Sequence, residues 1–117
     1  MLRLYPARTA EELEHARILF LEDCGGGELP DLPGEHAPPR GRVILAEWDG
    51  QLAGCVALRP FDEEACAVER LYVRNVHRGR GIGRALVGWA LDEARVMGYG
   101  SVRLDGIGEL AFSTRER

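Results

Sequence analysis

The stretch that decides the fold reads Leu71-Tyr72-Val73-Arg74-Asn75-Val76-His77-Arg78-Gly79-Arg80-Gly81-Ile82-Gly83-Arg84. It begins with an apolar run that predicts a strand, passes through a glycine-rich loop, and enters an amphipathic segment that predicts a helix. Glycines leave backbone N–H groups accessible, and the first N–H groups of a helix have no partner inside the helix. With the positive end of the helix dipole, these groups form an anion site suited to a phosphate or a pyrophosphate.

Arginines concentrate around this loop although the whole chain is acidic. The protein has 117 residues and a formal net charge of −4, and its 15 Lys and Arg residues are all arginine. Five of them lie in this region, namely Arg70, Arg74, Arg78, Arg80 and Arg84. A basic loop on an acidic protein favours a small polyanionic ligand over a nucleic acid, whose binding depends on broad phosphate neutralisation. The absence of lysine also excludes a Walker-type phosphate loop and Schiff-base catalysis.

Neither a dinucleotide-binding motif nor a simple turn accounts for the whole loop. A Gly-x-Gly-x-x-Gly pattern fails, because Gly79 and Gly81 are followed by Arg84 where the third glycine belongs. The glycines alone would fit a tight strand-to-helix turn with no ligand, but such a turn does not require the arginines. We therefore expect a loop that binds a phosphorylated small molecule.

Patterns on both sides of the loop predict one α+β domain covering residues 1–117. The predicted strands are Leu2–Tyr5, Val43–Ala46, Gln51–Arg59, Glu64–Val73 and Ser101–Asp105. One helix follows a Thr9–Glu12 capping box, carries an apolar stripe of Leu13, Ala16, Ile18, Leu19 and Phe20, and ends at Gly25. The other runs from the glycine loop to about Met97, and residues 28–41 form a loop or a degraded helix. Asp49-Gly50 predicts a type I′ hairpin turn, so an antiparallel meander precedes the strand–loop–helix unit.

Composition and termini exclude several classes of protein. The N-terminus lacks the apolar segment of a signal peptide, and no apolar run approaches the roughly 20 residues of a membrane span, so we expect a cytoplasmic protein without a membrane partner. The three cysteines form no Cys-x-x-Cys pair, which favours neither a disulfide framework nor a metal site. Cys55 and Cys66 are predicted in the core, Trp48 and Trp89 in packing positions, and His77 on the loop surface.

The sequence of this loop resembles a motif of a known protein family. Arg78-x-x-Gly81-x-Gly83 at a strand-to-helix junction resembles the acetyl-CoA motif of the GNAT family of N-acetyltransferases. Further similar stretches are Leu32–Gly41, Leu52–Pro60, Arg70–Arg74 and Gly98–Asp105, so the resemblance covers about residues 30–105. It implies a GNAT-like acyl-CoA N-acyltransferase fold, with a mostly antiparallel mixed sheet flanked by helices. It also implies acetyl-CoA as cosubstrate and direct acetyl transfer to a small-molecule amine.

The resemblance also implies which residues bind acetyl-CoA. In the family, the strand before the loop splays from its neighbour, and the pantetheine arm pairs with exposed strand backbone, here that of Leu71 and Val73. The pyrophosphate lies on the loop that follows. The implied loop residues are Arg78, Gly79, Arg80, Gly81, Ile82, Gly83 and Arg84.

The chain departs from the family where a catalytic base is expected. Members of this branch commonly carry a glutamate four residues before the leucine of the Leu-Tyr-Val triplet, and Ala67 stands there in this chain. Glu69 lies two residues further along, on the same face of a regular strand, and is predicted as a relocated catalytic base. The alternative is a solvated or ion-paired strand carboxylate. Glu63 and Glu64 are weaker candidates.

A second departure concerns the C-terminal end. A full-length member continues with a helix, which usually carries a tyrosine acid, and two more strands, whereas residues 105–117 form an atypical tail. Tyr72 and Tyr99 are the candidates for that acid within this chain. We expect a C-terminally shortened member that lacks the usual last helix and strands and forms a homodimer through its exposed C-terminal sheet edge. The alternatives are a degenerate CoA-binding or interaction module without a competent acceptor site, and a fragment completed by a partner chain.

Overall fold

The computed structural model describes residues 1–24, 38 and 40–104, apart from the Cys24 side chain. The described strands and helices are β1 (Leu2–Pro6), α1 (Ala10–Cys24), β2 (Arg42–Trp48), β3 (Gln51–Pro60), β4 (Ala65–Val73), α2 (Ile82–Val96) and β5 (Ser101–Leu104). Each element predicted within these residues is present, and a 3₁₀ turn at Asn75–His77 is added between β4 and α2. The predicted end of the first helix at Gly25, the loop prediction at residues 28–37 and 39, and the predictions for the tail after Leu104 lie outside the described residues.

The strands form one mixed sheet in the order β1-β2-β3-β4-β5. The first four are antiparallel neighbours, and β5 runs parallel to β4, with Ala65 opposite Ser101 and Val68 opposite Leu104. A parallel neighbour requires a crossover connection, which α2 provides. The mostly antiparallel mixed sheet predicted above is therefore confirmed.

Each helix covers one face of the sheet. The α2 face is an apolar cluster that includes Ile44, Val56, Leu58, Cys66, Val68, Ile82, Leu86 and Ala90. The α1 face is a smaller cluster of Ala16, Leu19, Phe20, Val43, Leu45, Cys55 and Ala57. Cys55 and Cys66 are in the core, as predicted. Ile18 was predicted in the buried stripe but is 37% exposed, because it lies about 200° around the helix from Ala16.

Local signals read from the sequence are confirmed at two sites. The Glu12 backbone N–H donates to the Thr9 hydroxyl oxygen at 3.1 Å, and the Thr9 N–H donates to the Glu12 carboxylate at 3.1 Å, which is a capping box. Asp49 and Gly50 have φ of 53° and 82°, as a type I′ turn requires. The start of α1 and the β2–β3 hairpin therefore have direct physical causes in the sequence.

A bulge in β4 was not predicted. Cys55 pairs with Tyr72 and Ala57 with Glu69, so β4 contains one residue more than β3 over this interval. Arg70 has a φ of 59°, a left-handed conformation that is unusual for a residue other than glycine. As a result Glu69 and Arg70 both lie on the α1 face, while Leu71 and Val73 turn towards α2.

Candidate functional site

The glycine loop presents backbone N–H groups that the protein does not use. Gly79 and Gly81 have φ of 83° and 78°, a left-handed conformation that favours glycine. The Ala85 N–H makes the first helical bond, to the Gly81 carbonyl at 3.0 Å. Within the described part of the chain, the N–H groups of residues 79–83 donate to no other protein group. They form a set of unused donors at the start of α2.

The two helices differ in how their N-termini are completed. At α1, Thr9 and Glu12 satisfy free N–H groups, and Glu11 and Glu12 place negative charge in the first turn. At α2, the N-cap residue is Gly81, no side chain caps the helix, and the first turn contains no acidic residue. Among the residues that the structure describes, no side-chain cap or first-turn carboxylate neutralises the positive end of the α2 dipole, and such an end favours an external anion.

The free edge of β4 lies beside this loop. Pairing with β5 spans Ala65–Val68, and beyond it no strand in the described ranges adjoins this side of β4. A Cβ built on Gly83 would lie 3.7 Å from Val73 Cγ2 and 3.9 Å from Leu71 Cδ2. The structure thus brings Leu71 and Val73 next to Gly83, three of the residues that the resemblance implied for acetyl-CoA.

Arg78 and Arg80 are held by the protein at the edge of the loop. The Arg78 Nε donates to the Val73 carbonyl at 2.8 Å. One Arg80 nitrogen donates to His77 Nδ1 at 3.0 Å, and its guanidinium lies 4.9 Å from the Trp48 ring centroid. A guanidinium has several N–H donors, so these contacts orient each side chain without using all of its donors. Trp48 packs against the α2-face cluster, as predicted, and also supports Arg80.

The prediction that His77 lies on the loop surface is wrong. Its exposed fraction is 4%, because the 3₁₀ turn directs it inwards and leaves the neighbouring Val76 75% exposed. Arginine has only donors, so the Nδ1 that receives the Arg80 bond is the unprotonated ring nitrogen. The buried His77 therefore anchors Arg80, and with it the glycine loop, to the protein interior.

Glu69 forms an ion pair instead of standing free. The Arg59 Nε lies 3.0 Å from its Oε2, and the two side chains are 26% and 18% exposed. Ala67 is fully buried beside this pair and contributes no acid–base group. Glu63 and Glu64 lie in the exposed turn before β4. Glu69 is thus the only one of these three carboxylates held in the sheet.

Each tyrosine hydroxyl of the chain is engaged by a protein acceptor. The bonds run from Tyr5 to Glu47 at 2.8 Å, from Tyr72 to Glu22 at 3.1 Å, and from Tyr99 to the Arg40 carbonyl at 3.0 Å. Burial, and then Glu47, raise the pKa of Tyr5 to about 12. Burial and Glu22 raise the pKa of Tyr72 as well. Tyr72 and Tyr99, the candidates for the acid, therefore both have structural hydrogen bonds.

An apolar cavity of about 340 Å³ opens near the start of α1. Its lining residues are Pro6, Ala7, Arg8, Leu13, Pro38, Arg42 and Val43. Val43 is opposite Ala57, which is opposite Glu69, so the cavity lies at the level of Glu69 on the sheet. Two strand spacings separate Val43 and Glu69, roughly 10 Å. This space is a candidate for part of an acceptor molecule.

Sequence reasoning missed two features of this region. Arg74 makes a bidentate pair with Glu22 at 3.0 and 2.7 Å, which joins the end of β4 to α1. The second missed feature is the β4 bulge at Arg70. Neither has a local sequence signal, because Glu22 and Arg74 are 52 residues apart and a bulge needs no glycine here.

Comparison with known proteins agrees with this geometry. The sequence model of the acetyltransferase (GNAT) family matches residues 4–110. An uncharacterised N-acetyltransferase from Schizosaccharomyces pombe is 34% identical over 90 residues, which cover 75% of this chain and 55% of that protein. The chain spans about half the length, or less, of the curated relatives it matches.

Solved structures share the fold at low sequence identity. An acetyltransferase from Trypanosoma brucei superposes with a TM-score of 0.73 at 19% identity, over 100% of this chain and 96% of that one. An N-acetylglutamate synthase from Neisseria gonorrhoeae, solved with coenzyme A and N-acetyl-glutamate, has a TM-score of 0.65 at 24% identity, over 85% of this chain and 24% of that one. No helix among the described residues is long and apolar enough to cross a membrane. The chain belongs to the acetyltransferase (GNAT) family, whose cosubstrate is acetyl-CoA.

Proposed function

We propose that the protein transfers an acetyl group from acetyl-CoA directly to the amine of a small molecule. The observation that carries the proposal is the set of unused N–H groups of residues 79–83 at the uncapped start of α2. A pyrophosphate fits this site, because it brings the hydrogen-bond acceptors and the negative charge that the described residues do not supply at the start of α2. When bound, acetyl-CoA supplies an activated thioester.

The residues around the loop have distinct parts in this proposal. The backbone of residues 79–83 and the first turn of α2, including Arg84, hold the pyrophosphate. Arg78 and Arg80, oriented by Val73 and His77, direct remaining guanidinium donors towards phosphate oxygens. The backbone of Leu71 and Val73, on the open side of β4, holds the pantetheine arm. The position of each residue near the unused N–H groups supports its assignment.

Glu69 is the proposed base that removes the proton from the attacking amine. It lies on the α1 face, whereas the phosphate-binding loop lies at the end of the α2 face, so an acceptor reaches it without crossing the loop. Arg59 fixes its orientation through the 3.0 Å ion pair. General-base catalysis requires this fixed geometry before it requires a particular pKa.

Two glycines of α2 allow a controlled test of acetyl-CoA binding. Gly83→Ala adds a methyl group at the proposed phosphate site, where its protein contacts are ordinary van der Waals distances. Gly88→Ala adds the same group where nothing lies within 4 Å. We expect isothermal titration calorimetry to show weakened acetyl-CoA binding for Gly83→Ala only. Equal affinity in both variants and the unchanged protein would exclude the loop, and no binding by the unchanged protein would exclude the function.

A module that binds CoA without catalysing transfer is the second candidate. It is favoured by the ion pair of Glu69 and by the engagement of Tyr5, Tyr72 and Tyr99, which leave no free carboxyl or phenol among these groups. Release of the CoA thiol in the presence of a panel of primary amines separates the two functions. The enzyme releases thiol in proportion to acetylated amine, and the module binds acetyl-CoA without release.

The location and assembly of the chain are further parts of the proposal. Cys55 and Cys66 are free thiols, which agrees with a cytoplasmic, reducing compartment. The outer side of β5 pairs with no strand within the described residues, and an unpaired strand edge is a template for pairing with a second chain. We propose a homodimer that pairs this edge.

A further inference from the structure

Arg70 has an unusual combination of backbone and side-chain positions. Its φ of 59° places it in the left-handed region at the β4 bulge, a conformation that a non-glycine residue adopts only at an energetic cost. Its guanidinium lies 4.9 Å from the ring centroid of Phe20, a buried residue of α1. Backbone and ring contact together hold the guanidinium on the α1 face, directly after Glu69.

A comparison with similar arginines shows what Arg70 lacks. Four arginines are partly buried in the described part of the chain: Arg42, Arg59, Arg70 and Arg74. Three of them pair with a carboxylate, Arg42 with Glu93 at 3.0 Å, Arg59 with Glu69 at 3.0 Å and Arg74 with Glu22 at 2.7 Å. Arg70 pairs with none within the described residues. A guanidinium that is partly withdrawn from water and unpaired is an available partner for an external anion.

The position of Arg70 relates this anion site to the proposed reaction. Glu69, the proposed base, precedes it on the same face, and Leu71, beside the glycine loop, follows it on the opposite face. Arg70 therefore directly follows the residue that would receive the amine proton, and both lie on the face of the sheet from which the acceptor would approach. An anion bound there belongs to the acceptor and not to the phosphates, which the start of α2 holds.

We propose that Arg70 binds the carboxylate of an acceptor that carries both an amine and a carboxylate, as a free amino acid does. This inference rests on the proposed function. Glu69 and Arg70 are one acidic and one basic group on one face, an arrangement complementary to the ammonium and carboxylate groups of an amino acid. Arg70 is thus a specificity-determining residue, and the substrate class is an amino carboxylate.

The test measures acetyl transfer to paired substrates, the twenty common amino acids and their primary carboxamides. The carboxamide keeps the amine and the side chain but lacks the negative charge. We expect at least one free acid to have a kcat/KM about tenfold or more above that of its amide. Arg70→Gln is expected to remove the preference for the acid by raising its KM. Arg70→Lys, which keeps the positive charge, is expected to retain part of this preference. Arg17→Gln, an exposed α1 arginine, is the charge-matched control.

The outcomes separate this inference from the proposed function. Equal kcat/KM for acids and amides in the unchanged protein overturns the role of Arg70, and so does a preference that survives Arg70→Gln. Binding of acetyl-CoA without transfer to any amino acid in either form also overturns it. No binding of acetyl-CoA overturns the proposed function itself. If Arg70→Gln fails to fold, the ratio of kcat/KM for the acid to kcat/KM for the amide, measured with the unchanged protein, still tests the inference.

Discussion

Gly83 and Gly88 have different surroundings in the same helix. Gly83 faces Val73 and Leu71 at ordinary contact distances, and Gly88 faces open space. Neither has a positive φ, so alanine fits the backbone at both positions. The pair thus separates the effect of a methyl group on folding from its effect on a ligand.

We expect Gly88→Ala to raise the free energy of unfolding by about 0.5–1 kcal/mol, because glycine inside a helix is less favourable than alanine by this amount. Gly83→Ala should not lower the stability of the ligand-free protein. Urea unfolding followed by circular dichroism measures both. Loss of stability in Gly83→Ala would show that its weaker acetyl-CoA binding reports a folding defect.

Glu69 and Glu93 provide a second matched pair at the residue scale. Each carboxylate lies 3.0 Å from the Nε of an arginine in the sheet, and their side chains are 18% and 23% exposed. Only Glu69 lies on the α1 face beside the bulge. We expect Glu69→Gln to lower kcat roughly 100-fold with little change in acetyl-CoA affinity, and Glu93→Gln to leave kcat nearly unchanged. A similar small effect in both variants would exclude Glu69 as the base.

At the scale of elements, β3 and β4 approach closely where the bulge ends. A Cβ built on Gly54 would lie 2.6 Å from the Tyr72 carbonyl oxygen and 3.3 Å from the Val73 Cα. Both neighbours are backbone atoms, so no side-chain movement relieves the contact. Gly54 therefore allows the spacing that brings Val73 next to the glycine loop.

We expect Gly54→Ala to lower the free energy of unfolding by roughly 1–3 kcal/mol, since strand backbone must shift to admit the methyl group. The affinity of this variant for acetyl-CoA should also fall, because a shift of β4 moves Val73. Thermal unfolding and calorimetry measure the two effects. A fully stable Gly54→Ala protein would show that β3 and β4 leave room for a side chain between them.

The contact of α1 with β4 has a predictable pH dependence. Hydrogen bonding from Arg74 lowers the pKa of Glu22 below its ordinary value of 4.5. A lowered carboxyl pKa stabilises the folded protein above the ordinary value, and this stabilisation is lost as the pH falls through the folded-state value. The stability difference between the unchanged protein and Glu22→Gln should therefore shrink from pH 7 to below pH 4. A difference that is constant over this range, measured by urea unfolding, would contradict the role of this pair.

The elements were largely predictable from the sequence, and the contacts between them were not. Three signals in the sequence are local: the apolar pattern of the strands, the Thr9–Glu12 capping box and the Asp49-Gly50 turn. Each is followed by the expected strand, helix start or hairpin in the structure. The glycine-rich loop between β4 and α2 was also predictable from the sequence of that segment alone. The inward position of His77, the bulge at Arg70 and the ion pair of Glu69 depend on residues distant in sequence, so periodicity carries no information about them.

At the scale of the whole molecule, the sheet separates two environments. The α2 face is a large apolar cluster that ends at the glycine loop, and the α1 face is a smaller cluster bordered by charged residues of β3 and β4. The proposed phosphate and acceptor sites consequently lie on opposite faces and meet at the β4 bulge. In this proposal the two substrates would enter without competing for the same surface.

The proposed homodimer is tested on the intact chain. We expect size-exclusion chromatography with light scattering to give twice the monomer mass at micromolar concentration, because pairing covers the outer edge of β5. Hydrogen exchange should then show protection of the Ser101–Leu104 amides that increases with protein concentration. A monomer mass at all concentrations tested would contradict the dimer.

The open first turn of α2 also makes folding and ligand occupancy interdependent. α1 is capped by Thr9 and Glu12, whereas no side chain among the described residues caps α2, and the proposed ligand would supply the corresponding partners. A ligand that binds only the folded state raises the melting temperature with the logarithm of its concentration. Heating the protein with increasing amounts of a candidate nucleotide would thus rank possible occupants without any assay of catalysis.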